Sequence, residues 1–169
     1  DPGDVCYDRG DAYYALGDYE RAIADYDRAI QAAPDDAGAY YSRGSAYVAL
    51  DDYDRAIADY DQAIRLNPAD AGFYTGRGLA HYQQGDYDQA FADMGQAIAL
   101  DPANARLYTA RGKAYAGRGD YEQALADLSR VVELDPDDAG AYCNRGDAYA
   151  GRGDYERAIA DYDRAIRLD

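Results

Sequence analysis

Residues 37–70 read AGAYYSRGSAYVALDDYDRAIADYDQAIRLNPAD, and nearly the same line of residues is spelled out on both sides of it. Pro34, Pro68, Pro102 and Pro136 recur every 34 residues. They divide the chain into units 3–36, 37–70, 71–104, 105–138 and 139–169, after a two-residue leader and with a last unit that stops short of its proline. A period of this length marks a supersecondary unit that cannot bury its own apolar face and must stack on its neighbours. Residues 1–169 are therefore read as one repeat domain, with function expected on the extended surface that stacking creates.

Each unit opens with a version of Tyr-x-x-Arg-Gly-x-x-Tyr, complete at Tyr40, Arg43, Gly44 and Tyr47 and altered only at Cys6 in the first unit and His81 in the third. It continues with a version of Asp-Tyr-x-x-Ala-x-x-x-Tyr-x-x-Ala, as at Asp52, Tyr53, Ala56, Tyr60 and Ala63, with Met94 for the second tyrosine in the third unit and Leu128 and Val131 for its last two places in the fourth. Apolar residues three and four apart predict a helix in both halves. Asp18, Asp52, Asp86, Asp120 and Asp154 stand where an N-cap oxygen would accept the orphan amide hydrogens of the second helix. Acids follow at Glu20, Asp54, Asp88, Glu122 and Glu156, where the helix dipole favours them. The second helix should stop near Leu66, Leu100 or Leu134, because the proline two residues later cannot continue it. Asp36, Asp70, Asn104 or Asp138 would then cap the next first helix. The chain is thus expected to be all-α, built of helix, tight turn and antiparallel helix.

This pattern, its period and its prolines resemble the tetratricopeptide repeat, whose signature places fall in the second unit at Tyr40, Arg43-Gly44, Tyr47, Ala56, Tyr60 and Pro68. Two departures recur. Tyrosine stands for the usual tryptophan at Tyr40, Tyr74, Tyr108 and Tyr142, and arginine stands for leucine before the glycine in every unit. The resemblance implies a right-handed α-solenoid of five stacked helix-turn-helix repeats whose first helices line a concave groove for a peptide or helix of a partner. The groove places it implies are Tyr7, Asp11 and Tyr14 in the first unit, Tyr41 and Ser45 in the second, and Thr75, Leu79 and Tyr82 in the third. In the fourth unit they are Arg106, Thr109 and Lys113, and in the fifth Cys143, Asn144 and Asp147. Asp4, Asp8 and Ser42 fall on the same face. The set of Lys, Asn and Arg residues with which some relatives clamp a chaperone tail is not reproduced: Tyr7, Asp11, Ser42, Gly72 and Gly76 stand there instead.

Arg9, Arg43, Arg77, Arg111 and Arg145 are matched one for one by Asp25, Asp59, Asp93, Asp127 and Asp161 on the second helices. They read as structural ion pairs, closed either within a unit or between neighbours, since a bidentate Arg–carboxylate bond fixes helix register in both cases. Most of the 20 tyrosines occupy recurring core places, where packing with a bonded hydroxyl is the default role. Tyr7 and Tyr41 share one place and Tyr14 and Tyr82 another, each tyrosine in only two of the five units, and these four are the informative ones.

A net charge of −16, from 33 acids and 17 bases, argues against nucleic acid or an anionic membrane as partner, because either would need a basic face. Much of that acidity is already assigned to caps and ion pairs and keeps a tyrosine-rich array in solution. Lys113 is the only lysine. With Arg106 two helical turns earlier it forms a cationic stripe, either a pair of solvated residues or a dock for a peptide carboxylate.

Enzyme chemistry finds little support. His81 takes the place of Tyr13 or Tyr47 and reads as a core substitution, with no nucleophile–base pair around it. Cys6 and Cys143 belong to the first and last units, too far apart in a stacked array to be bridged. Two cysteines and one histidine make no zinc set, and Asp135, Asp137 and Asp138 lack the rest of a calcium loop. No metal or cofactor is expected. Arg-Gly-Asp at 9–11, 118–120, 145–147 and 152–154 follows from the repeat itself.

No apolar run approaches the ~20 residues that span a bilayer, and no signal peptide is evident, so a cytoplasmic location is favoured. The last unit lacks a polar capping helix, as a piece of a longer protein would. The leading expectation is a non-catalytic protein–protein interaction scaffold. The alternatives are a structural element that self-associates head to tail through its uncapped ends, and the regulatory portion of a larger protein.

Overall fold

The computed structural model describes residues 2–168; Asp1 and the expected end of the final helix at Asp169 lie outside the described residues. Ten helices run through them: α1 Pro2–Ala15, α2 Tyr19–Ala32, α3 Ala37–Ala49, α4 Tyr53–Leu66, α5 Ala71–Gln84, α6 Tyr87–Leu100, α7 Ala105–Arg118, α8 Tyr121–Leu134, α9 Ala139–Gly151 and α10 Tyr155–Leu168. Each repeat contributes one helix pair, and the all-α architecture agrees with the sequence reading. No helix among the described residues is long and apolar enough to cross a membrane.

The residues that start and stop these helices do so by identifiable bonds. Asp18 and Asp52 accept from the amides of Arg21 and Arg55 at 3.2 Å. Asp36, Asp70, Asn104 and Asp138 accept from the amide two residues on, at 2.8–3.1 Å. Asp120 corrects the expectation for its place: it makes no cap bond to α8 and pairs instead with Arg118. Where the turn inside a repeat reverses the chain, Gly17, Gly85, Gly119 and Gly153 take φ of +77° to +88°. Asp51 does the same at +58° without the freedom of glycine, and its carboxylate accepts from the Tyr53 hydroxyl at 2.6 Å.

The two helices of a repeat approach closely because one side of the contact has no side chain. A Cβ on Gly10 would sit 2.7 Å from the ring of Tyr26, and one on Gly112 would sit 2.9 Å from Leu128. Alanines complete the seam: Ala22, Ala56, Ala90 and Ala124 are fully buried. Small residues on both helices thus convert a 34-residue sentence into a tight hairpin whose remaining apolar face must be covered by the next one.

Residues 1–100 and 101–169 form two compact units. In the first, α2 packs on α3 and α4 on α5, while α1, α3 and α5 touch in succession. Its core joins neighbouring repeats, since Ile23 of the first packs against Tyr47, Ala56 and Tyr60 of the second. In the second unit, α8 and α7 both pack on α9. Leu125, Leu128 and Ala148 lie at its centre, with Tyr115 and Tyr149 against them.

Candidate functional site

The recurring arginine is the first feature that the geometry resolves. Arg43 donates from Nε and Nη2 to the two oxygens of Asp59 at 2.8 and 2.6 Å, and the same fork recurs at Arg77–Asp93, Arg111–Asp127 and Arg145–Asp161. Arg9 grips Asp25 at 2.5 and 2.6 Å, and with Arg28 alongside, these bonds hold the Asp25 carboxyl below the usual carboxylate range. The pairs therefore close inside each repeat. Two arginines also reach out of it: Nη1 of Arg43 donates to Asp27, and Nη1 of Arg77 to Asp61. Arg145 has Ser129 at the corresponding place in the preceding repeat, where no carboxylate is available.

The two departures from the family signature are coupled. The Arg43, Arg77 and Arg145 guanidinium groups lie 5.6–5.8 Å from the ring centres of Tyr40, Tyr74 and Tyr142, one helical turn earlier. A tyrosine at that place also sends its hydroxyl to the backbone of the preceding turn. Tyr74, Tyr108 and Tyr142 donate to the carbonyls of Pro68, Pro102 and Pro136 at 3.2–3.3 Å. Cys6 holds the equivalent place in the first repeat.

Within the first unit, α1, α2 and α3 enclose an open cavity of about 290 Å³ lined by Asp11, Tyr14, Tyr26, Tyr41, Ser42 and Ser45. The sequence reading puts five of these on the groove face; Tyr26 is the one it misses. Tyr26 arrives from the second helix because Gly10 leaves room for its ring, and it is 1% exposed. Its hydroxyl donates to Asp11 Oδ1 at 2.7 Å, and burial together with that carboxylate raises the phenol far above its ordinary range. The pairing of a glycine with the residue sixteen places later is the sequence signal that could have found it.

The other groove candidates of this unit have already found contacts. Tyr7 is half-buried, with its ring 5.8 Å from Tyr26 and its hydroxyl 3.0 Å from Ser42 Oγ. Tyr41 is wedged between Tyr60 and Phe73 at 5.6 and 5.3 Å, and burial raises its phenol pKa. Tyr14 leans on Tyr19 and keeps 38% of its surface exposed. Tyr82 packs against Tyr87 and Phe91 of the following helix rather than joining the cavity. Thr75 bonds back to the Ala71 carbonyl, and Leu79 is exposed.

In the second unit, Arg106 and Lys113 are both exposed on α7, and Thr109 bonds back to Ala105. On α9, Cys143 is an exposed free thiol, Asn144 is half-buried, and Asp147 accepts from Tyr162 at 2.8 Å. The last pair repeats Tyr26–Asp11. Cys6 is likewise a free thiol.

His81 is 8% exposed, and its Nδ1 has no partner among the described residues. It borders a second opening of about 240 Å³ beside Asp61, Arg77 and Asp93. At the equivalent places, Tyr13 and Tyr47 carry Arg21 and Arg55 at 4.7 and 4.4 Å from their ring centres. The third repeat has Gln89 where those arginines stand.

Several solved structures share this architecture. MamA of Desulfovibrio magneticus RS-1 superposes with a TM-score of 0.83 at 23% identity, over 99% of this chain and 95% of that one. TTC0263 of Thermus thermophilus, a thermophilic repeat protein, gives 0.77 at 25% identity over 98% and 91%. YrrB, described as having an unusual peptide-binding site, gives 0.72 at 26% over 97% and 84%. No curated protein sequence matches the chain significantly. The sequence pattern of the TPR repeat matches residues 10–51, 44–85 and 78–118, and that of the tetratricopeptide repeat matches residues 109–169. With those patterns running through nearly all of its length, the chain belongs to the tetratricopeptide repeat family.

Proposed function

We propose that this chain is a non-catalytic interaction scaffold that receives a peptide or helix of a partner on the face formed by its first helices. The observation that carries the reading is the cavity between α1 and α3, a concave, aromatic-walled opening with a few convergent polar groups, which is the usual makeup of a ligand site. Membership of the repeat family and the likeness to YrrB support it. In this reading Tyr14 and the walls around it supply contact area. Arg106, Thr109 and Lys113 in the second unit, with Cys143, Asn144 and Asp147, supply polar contacts, and Lys113 with Arg106 takes an acidic group of the partner.

The test is a random-peptide display selection on the purified chain, counter-screened against a Tyr14→Ala, Arg106→Glu, Lys113→Glu variant with unchanged helical circular dichroism. Tyr14 is the better choice than Tyr41, whose ring is part of the core. One recovered motif that the variant fails to bind is the expected result. Peptides indifferent to the substitutions would overturn the assignment.

A second reading has its own observation. On α10, Tyr155, Ile159 and Ile166 are 66%, 59% and 74% exposed, although Ile23 and Ile57, the counterparts of Ile159, pack into the core that joins the first two repeats. An apolar face with no cover favours self-association, and a head-to-tail contact of this kind is heterologous.

A further inference from the structure

We propose that the cavity bounded by Asp11, Tyr14, Tyr26, Tyr41, Ser42 and Ser45 is a receptor for one alkylammonium group, the head of a lysine side chain presented by an extended peptide. The proposal rests on the groove reading and names the chemistry of its first subsite.

The wall selects charge by where its protons point. Tyr26 gives its hydroxyl proton to Asp11, so its oxygen keeps lone pairs and no proton for a guest. Ser45 gives its proton to the Tyr41 carbonyl at 3.0 Å. The 3.2 Å contact between Ser45 Oγ and Tyr60 is then donated by Tyr60. The protons of Tyr26 and Ser45 are thus spent inside the wall, and the hydroxyls of Tyr14, Tyr41 and Ser42 rotate freely enough to turn an oxygen towards a cation. No lysine or arginine lines the cavity. Arg9, the one base on α1, is held by Asp25, whereas the same helix carries Asp4, Asp8 and Asp11. Tyr14, Tyr26 and Tyr41 bring aromatic rings beside the Asp11 carboxylate, and a ring face attracts a cation within about 6 Å.

The shape of the acceptor distinguishes ammonium from guanidinium. Asp11 Oδ1 already accepts from Tyr26, so a bidentate guest would have to share that oxygen with the phenol. A guanidinium fork gains most from two carboxylate oxygens side by side, and an ammonium point charge needs only one, with hydroxyl oxygens for its other donors. A volume of about 290 Å³ is at the small end of ligand pockets and suits one long side chain. The charge of −16 draws a basic peptide towards the chain.

The test is titration of the full chain, followed by amide NMR, with acetyl-Gly-Ser-Gly-Lys-Gly-Ser-Gly-amide and with the same peptide carrying norleucine or arginine in place of lysine. The expected result is a saturable set of shifts centred on the six lining residues, with lysine about ten-fold tighter than norleucine and tighter than arginine. Asp11→Asn, which keeps an acceptor for Tyr26, should weaken the lysine peptide about ten-fold. Asp88→Asn, the same charge change on an exposed residue of α6, should not. Equal losses in the two variants, arginine binding as tightly as lysine, or shifts scattered over the acidic surface would each overturn the proposal. The groove reading fails separately. If display selection yields peptides that need Tyr14 but no lysine, the groove stands and the cation site falls; if the lysine peptide fills the cavity and selection yields nothing, the reverse holds.

Discussion

At the scale of single residues, the Arg–Asp fork is the interaction that the sequence repeats most faithfully. Asp59 is 6% exposed, and its removal leaves Arg43 partly buried with one of its two anions gone. Asp59→Ala should therefore cost about 2–3 kcal/mol in urea unfolding, below the 3–5 of a wholly buried pair because the Arg43 side chain keeps 20% of its surface. Arg43→Met together with Asp59→Leu should recover much of that loss, since an apolar pair needs no desolvation of charge. Failure of the double variant to recover would mean that the pair contributes net stability that an apolar contact at the same place does not replace. Tyr60 gives a pH prediction. Burial pushes its phenol up to about 12, so the folded state favours the neutral form. Its contribution is whole below pH 10 and is lost as pH rises from about 10 to about 12. Tyr60→Phe should flatten that part of the alkaline melting profile; an unchanged profile would place the lability at Tyr26 or Tyr41.

At the scale of the helices, the second arm of the guanidinium separates one repeat boundary from another. Arg43 and Arg77 bridge back to Asp27 and Asp61, and Arg145 faces a repeat that offers Ser129. Ser129→Asp should add the missing arm between α8 and α9 and raise the unfolding free energy by about 0.5–1 kcal/mol, the range for partly exposed pairs. The gain should fall in high salt, and a gain insensitive to salt would point to some cause other than charge. Helix bounds, most caps and the fork were legible in the sequence because each depends on residues close in the chain or at a fixed offset within one period. The cavity between α1, α2 and α3 was legible only in part. Its first-helix walls follow from the repeat, yet Tyr26 comes from the second helix and becomes visible only once Gly10 is seen to admit its ring. Tyr41 and Tyr82 looked available because the repeat pattern does not display which rings of neighbouring helices, Tyr60 and Phe73 or Tyr87 and Phe91, come to cover them.

At the scale of the whole chain, net charge acts in opposite senses on the two ways it can meet a partner. Copies carrying −16 each repel, and that repulsion opposes contact through Tyr155, Ile159 and Ile166 on α10. Salt shortens the reach of the charges to about 10 Å at 0.1 M and about 3 Å at 1 M, while leaving apolar burial in force. A lysine-bearing peptide, by contrast, is drawn in by the same charge and loses that attraction as salt rises. Light scattering and peptide titration over one salt series, from about 20 mM to about 1 M, therefore read the two modes with slopes of opposite sign. Mass should rise with salt and protein concentration if α10 is a self-association face, and Ile159→Asp with Ile166→Asp should return it to the monomer at every salt. Peptide affinity should fall over the same series and be untouched by those substitutions, because they lie outside the residues that line the cavity. A mass that stays monomeric at high salt would remove the self-association reading. An affinity that α10 substitutions weaken would mean the peptide binds the open apolar face and not the tyrosine cavity.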